Sequence, residues 1–253
     1  KGVYELGSVF KTFTVAAGLE EGLIKTDTEF LNLEKRLKCG KNIISEYDKK
    51  IPSDLTVEQI LIRSGNIGSV RIGQKLEIDK LKLFLEKIGV LNKIDFDIEE
   101  VGEPIPFTWG KCKLATVSFG HGITTTPLQL AKGYAIITNG GFEIKPSLIK
   151  KVLKGNQNKK RIIKVGVSKE ISEILRKIVT TKEGTAGLAN IKGYEVGGKT
   201  GTAEKAIDGG YTGKAKVNTF VSIFPTSKPK YVMVVLLDEP KTSEDYIYKY
   251  KNK

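Results

Sequence analysis

The chain has 253 residues, 40% of them hydrophobic and 28% charged, which is enough for one large domain or two small ones with an ordinary buried core. No apolar run reaches the roughly 18 residues of a membrane span, and the charged, apolar and small-residue pattern of a secretory leader is absent. A net charge of +13 invites a nucleic-acid reading, but only five of the 42 basic residues are Arg (Arg36, Arg63, Arg71, Arg161, Arg176). Base edges and phosphates are best gripped by bidentate Arg. The lysines here are scattered, and the densest run, Lys159-Lys160-Arg161, sits in a Gly/Asn-rich stretch beginning at Gly155. No nucleic-acid partner is expected.

In chain order, Phe10, Phe13, Thr14, Ala17 and Leu19 recur at helical spacing after Ser8, and Gly22 closes that helix. Residues 39 to 54 read as a polar loop. Thr56 and Gln59 form a capping box that opens a short helix to about Arg63. Asp79 is expected to cap a further helix, with Leu81, Leu85 and Ile88 facing inward. A Pro-rich loop covers residues 101 to 110, and Thr126-Pro127 starts a helix that ends before Gly140-Gly141. Ser168 opens one more, to about Thr181.

Beyond it, Val196–Ala203, Val217–Phe224 and Tyr231–Asp238 read as three strands. They are joined through Asp208-Gly209-Gly210 and through a turn with Pro225 and Pro229, which makes an antiparallel meander. Helices followed by such a sheet predict an α+β fold. No linker divides the chain, so residues 1–253 are taken as one domain, reading as a fragment of something longer. Cys39 and Cys112 have neither metal-ligand nor Cys-x-x-Cys spacing and are expected as two buried thiols, a disulfide being the alternative in an oxidising compartment. One histidine, His121, makes a zinc site improbable. Neither metal nor cofactor is expected.

The chemistry turns on Lys199-Thr200, where two motifs overlap. Gly193 to Thr200 matches the phosphate-loop pattern G-x-x-x-x-G-K-T, and Val232 to Glu239 imitates the apolar strand and acidic pair of an ATPase. A phosphate loop works because a helix N-terminus follows it. Here Gly201-Thr202-Ala203 leads within a few residues to Gly209-Gly210, leaving no room for that helix. The competing set is Ser-x-x-Lys, Ser-x-Asn and Lys-Thr-Gly in that order. Ser-x-x-Lys alone says little, since it occurs three times, at Ser8/Lys11, Ser147/Lys150 and Ser227/Lys230. Only Ser8 follows a glycine and begins an apolar helix. Ser64-Gly65-Asn66 and Lys199-Thr200-Gly201 each occur once.

One helical turn separates Ser8 from Lys11, so the amine can reach the hydroxyl. A lysine made a weaker cation by burial and neighbouring charge can take the serine proton. Ser64, Asn66 and Lys199 would complete a hydrogen-bonded relay. The plain alternatives are a helix cap for Ser8, a turn former for Asn66 and a solvated charge for Lys199. No G-x-S-x-G elbow supports a Ser–His hydrolase, so His121 is read as structural or substrate-lining.

These motifs make the chain resemble the transpeptidase domain of class B penicillin-binding proteins. The resemblance runs through Tyr4 to Lys11, Ser64 to Gly68, Ser118-Phe119-Gly120-His121-Gly122, Thr126 to Ala131 and Gly197 to Ala203. It is most like the septal, cell-division type, on the Ser118–Gly122 run and Leu237-Asp238-Glu239-Pro240. The resemblance implies a penicillin-binding, serine β-lactamase-like fold, an antiparallel sheet flanked by helices with a helical subdomain. It implies a D,D-transpeptidase in which Ser8 attacks the D-Ala–D-Ala carbonyl of a peptidoglycan stem peptide and is acylated, alternatively by β-lactams. Ser8 and Thr202 would supply the oxyanion-hole N–H groups; Thr200, Gly201 and Thr202 would bind substrate, with Lys199 supplying positive charge.

The resemblance also implies an enzyme at the periplasmic face of the cytoplasmic membrane, anchored by an upstream segment and meeting cell-division proteins through regions outside this chain. Gly65 stands where Ser or Asp is commoner, and both ends look truncated: residues 241–253, rich in Lys and Tyr, do not supply the expected further sheet and helix. No Glu-x-x-x-Asn segment exists for a deacylating water, so transfer fits better than β-lactamase-type hydrolysis. A D,D-carboxypeptidase and, further off, a P-loop ATPase stand as alternatives.

Overall fold

The computed structural model describes residues 2–40, 42–150, 160–207 and 210–241. A single 3-10 turn, Gly7–Phe10, runs straight into α1 (Lys11–Glu20). Every residue of α1 from Lys11 to Leu19 is buried. That is why its apolar positions show no clean stripe: a helix in the middle of a core is covered all round.

Next come β1 (Glu29–Phe30), β2 (Arg36–Cys39), β3 (Asn42–Ser45) and β4 (Leu55–Thr56). The segment expected as loop over 39–54 therefore contains half of a hairpin. β2 and β3 pair antiparallel from Arg36↔Ser45 to Cys39↔Asn42, while β1 pairs with β4. The two cysteines are also not the expected thiols. Cys39, at the hairpin end, and Cys112 are joined in a disulfide with their Cα atoms 5.4 Å apart, within the span a disulfide requires.

α2 (Val57–Ile62) carries the expected Thr56/Gln59 capping box. α3 (Asn66–Lys87) follows within three residues, bent at Glu77, whose φ is 64°. Its second half is the expected helix, with Leu81, Leu85 and Ile88 buried; its first half answers to no expected element, and Asn66, weighed above as a turn former, is its first residue. α4 (Lys111–Val117) and α5 (Pro127–Thr138) come next, the latter also opened by a capping box, Thr126 with Gln129. α6 (Val165–Thr180) begins three residues before the expected Ser168 and buries Val167, Ile171, Ile174, Leu175 and Ile178 along one stripe.

The sheet consists of β5 (Gly197–Ile207), β6 (Gly210–Phe224) and β7 (Tyr231–Asp238), antiparallel in the order β5-β6-β7. Asp208-Gly209, expected in the first turn, and Gly155 to Lys159 of the basic run lie outside the described residues, as do residues 242–253. Side chains alternate as a half-buried sheet requires: Val217, Thr219, Val221 and Ile223 are buried. Their neighbours Val232, Val234 and Leu236 on β7 join the same core. α6 lies against β5, α5 against β6 and β7, and α1 packs between α3 and α6. The architecture is α+β, with helices on an antiparallel sheet. Beyond Thr200 the chain continues as strand to Ile207, so the phosphate-loop match has no helix N-terminus to offer an anion.

Candidate active site

Ser8 lies in the 3-10 turn and is half-buried. Lys11 N–H donates to the Ser8 carbonyl, closing an i→i+3 turn. Residues three apart share a face of such a turn, so Lys11 follows Ser8 on the same face. The turn fits only because Gly7, at φ 63°, lacks a side chain: a Cβ there would sit 2.4 Å from the Thr202 carbonyl oxygen, and one on Gly201 2.3 Å from that of Leu6. These two glycines let the Ser8 turn and β5 meet backbone to backbone.

Ser64 is delivered by the end of α2. Ser64 N–H donates to Leu61 O (3.2 Å) and Gly65 N–H to Ile60 O (2.9 Å), the pattern of a helix closed by a left-handed residue. That residue is ordinarily glycine; here it is Ser64, at φ 57°. A non-glycine residue in this conformation is held by its surroundings. The surroundings are two lysines with no exposed surface, Lys11 and Lys199. Lys11 Nζ donates to Ser64 O (2.5 Å), Ser64 Oγ (3.1 Å) and Asn66 Oδ1 (2.6 Å). Lys199 Nζ donates to Ser64 Oγ (2.8 Å) and Thr200 O (3.0 Å). With both lone pairs of Ser64 Oγ occupied, its own proton is free to be donated.

Burial lowers the pKa of Lys11 to about 7, against an opposing pull from the Glu46 charge. Lys199 is lowered well below its usual range, first by burial and then by Lys11. Lysines that lose their protons this readily can act as bases near neutral pH. On β5, Lys199 takes the buried face, while Thr200 is half-buried and Thr202 exposed on the other. Thr200 Oγ1 donates to Thr185 Oγ1 at 2.9 Å. β5 is an edge strand among the described strands, and such an edge can take an extended peptide as a further strand.

Ser8/Lys11, Ser64/Asn66 and Lys199–Thr202 are thus brought together from three separate stretches of chain. The other Ser-x-x-Lys copies are not part of the cluster: Ser147 Oγ donates to Ile149 O, and Ser227 Oγ to the Glu195 carboxylate. His121 stacks on Phe119, ring centres 4.7 Å apart. Its pKa falls to about 4 through burial and then the charge of Lys11. The ring is therefore held neutral at pH 7.

Sequence reasoning missed Ser45, Glu46 and Thr185. Asn66 Nδ2 donates to Ser45 O (2.8 Å), and Glu46 accepts the N–H groups of Asn66 (2.7 Å) and Ile67 (2.9 Å). They lie outside every motif, and their contacts arise from tertiary folding, so no sequence signal marks them.

The whole chain, residues 1–253, matches the family model for the penicillin binding protein transpeptidase domain. It is 33% identical over 249 residues to a probable peptidoglycan D,D-transpeptidase FtsI of Caulobacter vibrioides, covering 94% of this chain and 42% of that protein. It is 32% identical over 258 residues to stage V sporulation protein D of Bacillus subtilis, covering 94% of this chain and 38% of that protein. The chain spans less than half the length of either relative. Among solved structures, the apo transpeptidase domain of Burkholderia pseudomallei penicillin-binding protein 3 superposes with a TM-score of 0.88 at 26% identity, covering 95% of this chain and 72% of that one. The chain belongs to the penicillin-binding protein transpeptidase family.

Proposed function

We propose that the chain carries the acyl-transfer site of a peptidoglycan D,D-transpeptidase, acting in septal wall synthesis, with Ser8 as nucleophile. The observation that carries this reading is the single hydroxyl of Ser64 held between Lys11 and Lys199, with Lys11 one helical turn beyond Ser8. Neutral Lys11 accepts the Ser8 proton as Oγ bonds to the carbonyl carbon of the penultimate D-Ala. Negative charge develops on the carbonyl oxygen, and the N–H groups of Ser8 and Thr202 stabilise it. The C–N bond then breaks, and the proton passes through Ser64 Oγ and the lysines to the departing D-Ala amine. An amine from a second stem peptide attacks the ester and restores the Ser8 hydroxyl. Thr200, Gly201 and Thr202 bind the terminal carboxylate and lay the peptide along the β5 edge, with Lys199 as the nearby positive charge.

β-Lactams acylate Ser8 in the same way, as ring-closed amides that leave no departing amine. The Cys39–Cys112 disulfide supports a periplasmic setting, because disulfides persist in oxidising compartments. Among the described residues no helix is long and apolar enough to cross a membrane; a membrane anchor and contacts with division proteins are assigned in this reading to other parts of the protein. The test is covalent labelling with a fluorescent penicillin. Wild type is expected to label and Ser8→Ala not to; labelling that survives the substitution would overturn the assignment of Ser8.

A further inference from the structure

Two lysines buried side by side need a counter-charge, since an uncompensated buried cation is severely destabilising. The acid whose charge reaches Lys11 is Glu46, the residue after β3. Glu46 also does a second thing. The N-cap of α3 is Gly65, which has no side chain to cap it, and the two Glu46 oxygens accept the first N–H groups of that helix, at Asn66 (2.7 Å) and Ile67 (2.9 Å). A carboxylate there satisfies two orphan donors and faces the positive end of the helix.

Its neighbours act on the same segment: Ser45 O accepts Asn66 Nδ2 (2.8 Å), and the Tyr47 hydroxyl donates to Arg63 O (2.8 Å). Three consecutive residues therefore grip 63–67 from one side, while Asn66 Oδ1 meets Lys11 Nζ at 2.6 Å on the other.

We infer that Glu46 is a positioning residue of the acyl-transfer site, holding the Ser64–Asn66 turn against Lys11 and serving as counter-charge to buried Lys11. The inference rests on the transpeptidase reading for its kinetic consequence. The titratable groups around Lys11 are Lys199 from β5, Glu46 after the hairpin, and the neutral His121 after α4, whose pKa the charge of Lys11 lowers. Those that feel Glu46 are Lys11 and Tyr47. The sign is set: a negative charge stabilises protonated Lys11, so removing it lets the proton leave at lower pH.

The experiment measures the rate constant of acylation by a fluorescent penicillin from roughly pH 5 to pH 9, with a melting curve for each protein. Glu46→Gln is expected to slow the plateau rate about tenfold, as loosened catalytic geometry does, and to move the midpoint of the rise to lower pH. Glu46→Asp is expected to keep the wild-type midpoint. An unchanged rate and midpoint in Glu46→Gln would overturn the inference, and so would a slower rate at an unmoved midpoint, which is the mark of a helix cap alone. If Glu46→Gln does not fold, Glu46→Asp decides: a slower rate at the wild-type midpoint supports the inference, and the wild-type rate overturns it. Failure of the wild-type chain to label would instead overturn the transpeptidase reading. Glu46 is then judged by an NMR titration of the Lys11 amine, whose midpoint must fall in Glu46→Gln.

Discussion

Replacing Ser64 by Ala and by Gly separates its backbone conformation from its hydroxyl. At φ 57° the residue sits in the left-handed region, which costs a residue with a Cβ about 1–2 kcal/mol. Glycine escapes that cost but loses about 0.4–1 kcal/mol through its freer unfolded chain. Ser64→Gly is therefore expected to be more stable than Ser64→Ala by about 0.5–1 kcal/mol, or roughly 1–4 °C in Tm for a chain of this size. Both variants lose the same hydroxyl and strand the donors of Lys11 and Lys199 that met it at 3.1 and 2.8 Å. Ser64→Ala should thus melt below wild type. Acylation by a fluorescent penicillin should fall in both by about 10²–10⁴-fold, the usual worth of a positioned proton relay. Thermal melts and labelling rates on the three proteins make the test. If Ser64→Ala melts at or above Ser64→Gly, the strain argument is wrong; if either variant labels at the wild-type rate, Ser64 relays no proton.

Acylation of the wild type should rise with pH through about 7, where buried Lys11 loses its proton, and level off above; a rate falling across that range would exclude Lys11 as the base. Stability shifts in the same window. Lys11 holds its proton up to its ordinary 10.5 when unfolded but only to about 7 when folded, so between those values the unfolded chain binds the extra proton. Raising the pH then favours the folded state, by at most about 1.4 kcal/mol per unit from this group, and Lys199 acts in the same direction. Urea midpoints that fail to rise from pH 7 to pH 9 would refute it. The Cys39–Cys112 disulfide closes a loop of 73 residues, worth about 4 kcal/mol in loop entropy. Reduction, or Cys39→Ser, should lower Tm by on the order of 10 °C; an unchanged melt under reductant would show the bridge to be dispensable.

What could be read directly from the residues was whatever is decided locally. The Thr56/Gln59 box starts α2, Thr126-Pro127 starts α5, and the alternating runs in β6 and β7 form strands, because each rests on neighbours a few positions apart. The order of Ser8/Lys11, Ser64/Asn66 and Lys199-Thr200-Gly201 pointed to the candidate site for a similar reason: each motif carries its own turn or strand with it. The first half of α3 was illegible since Gly68 and Gly73 lower its helix propensity, and burial of Ile67, Val70, Ile72 and Leu76 overrides that only once the core exists.

The Cys39–Cys112 bridge and the grip of Ser45 and Glu46 on Asn66 join positions twenty or more residues apart. No periodicity encodes such pairings, because they depend on which surfaces meet when the chain closes. The sequence by itself determined which residues could do the chemistry. Only the tertiary structure decided that Lys11 and Lys199 would both lose their water and share one hydroxyl, because desolvation is a property of the packed core and of no segment alone.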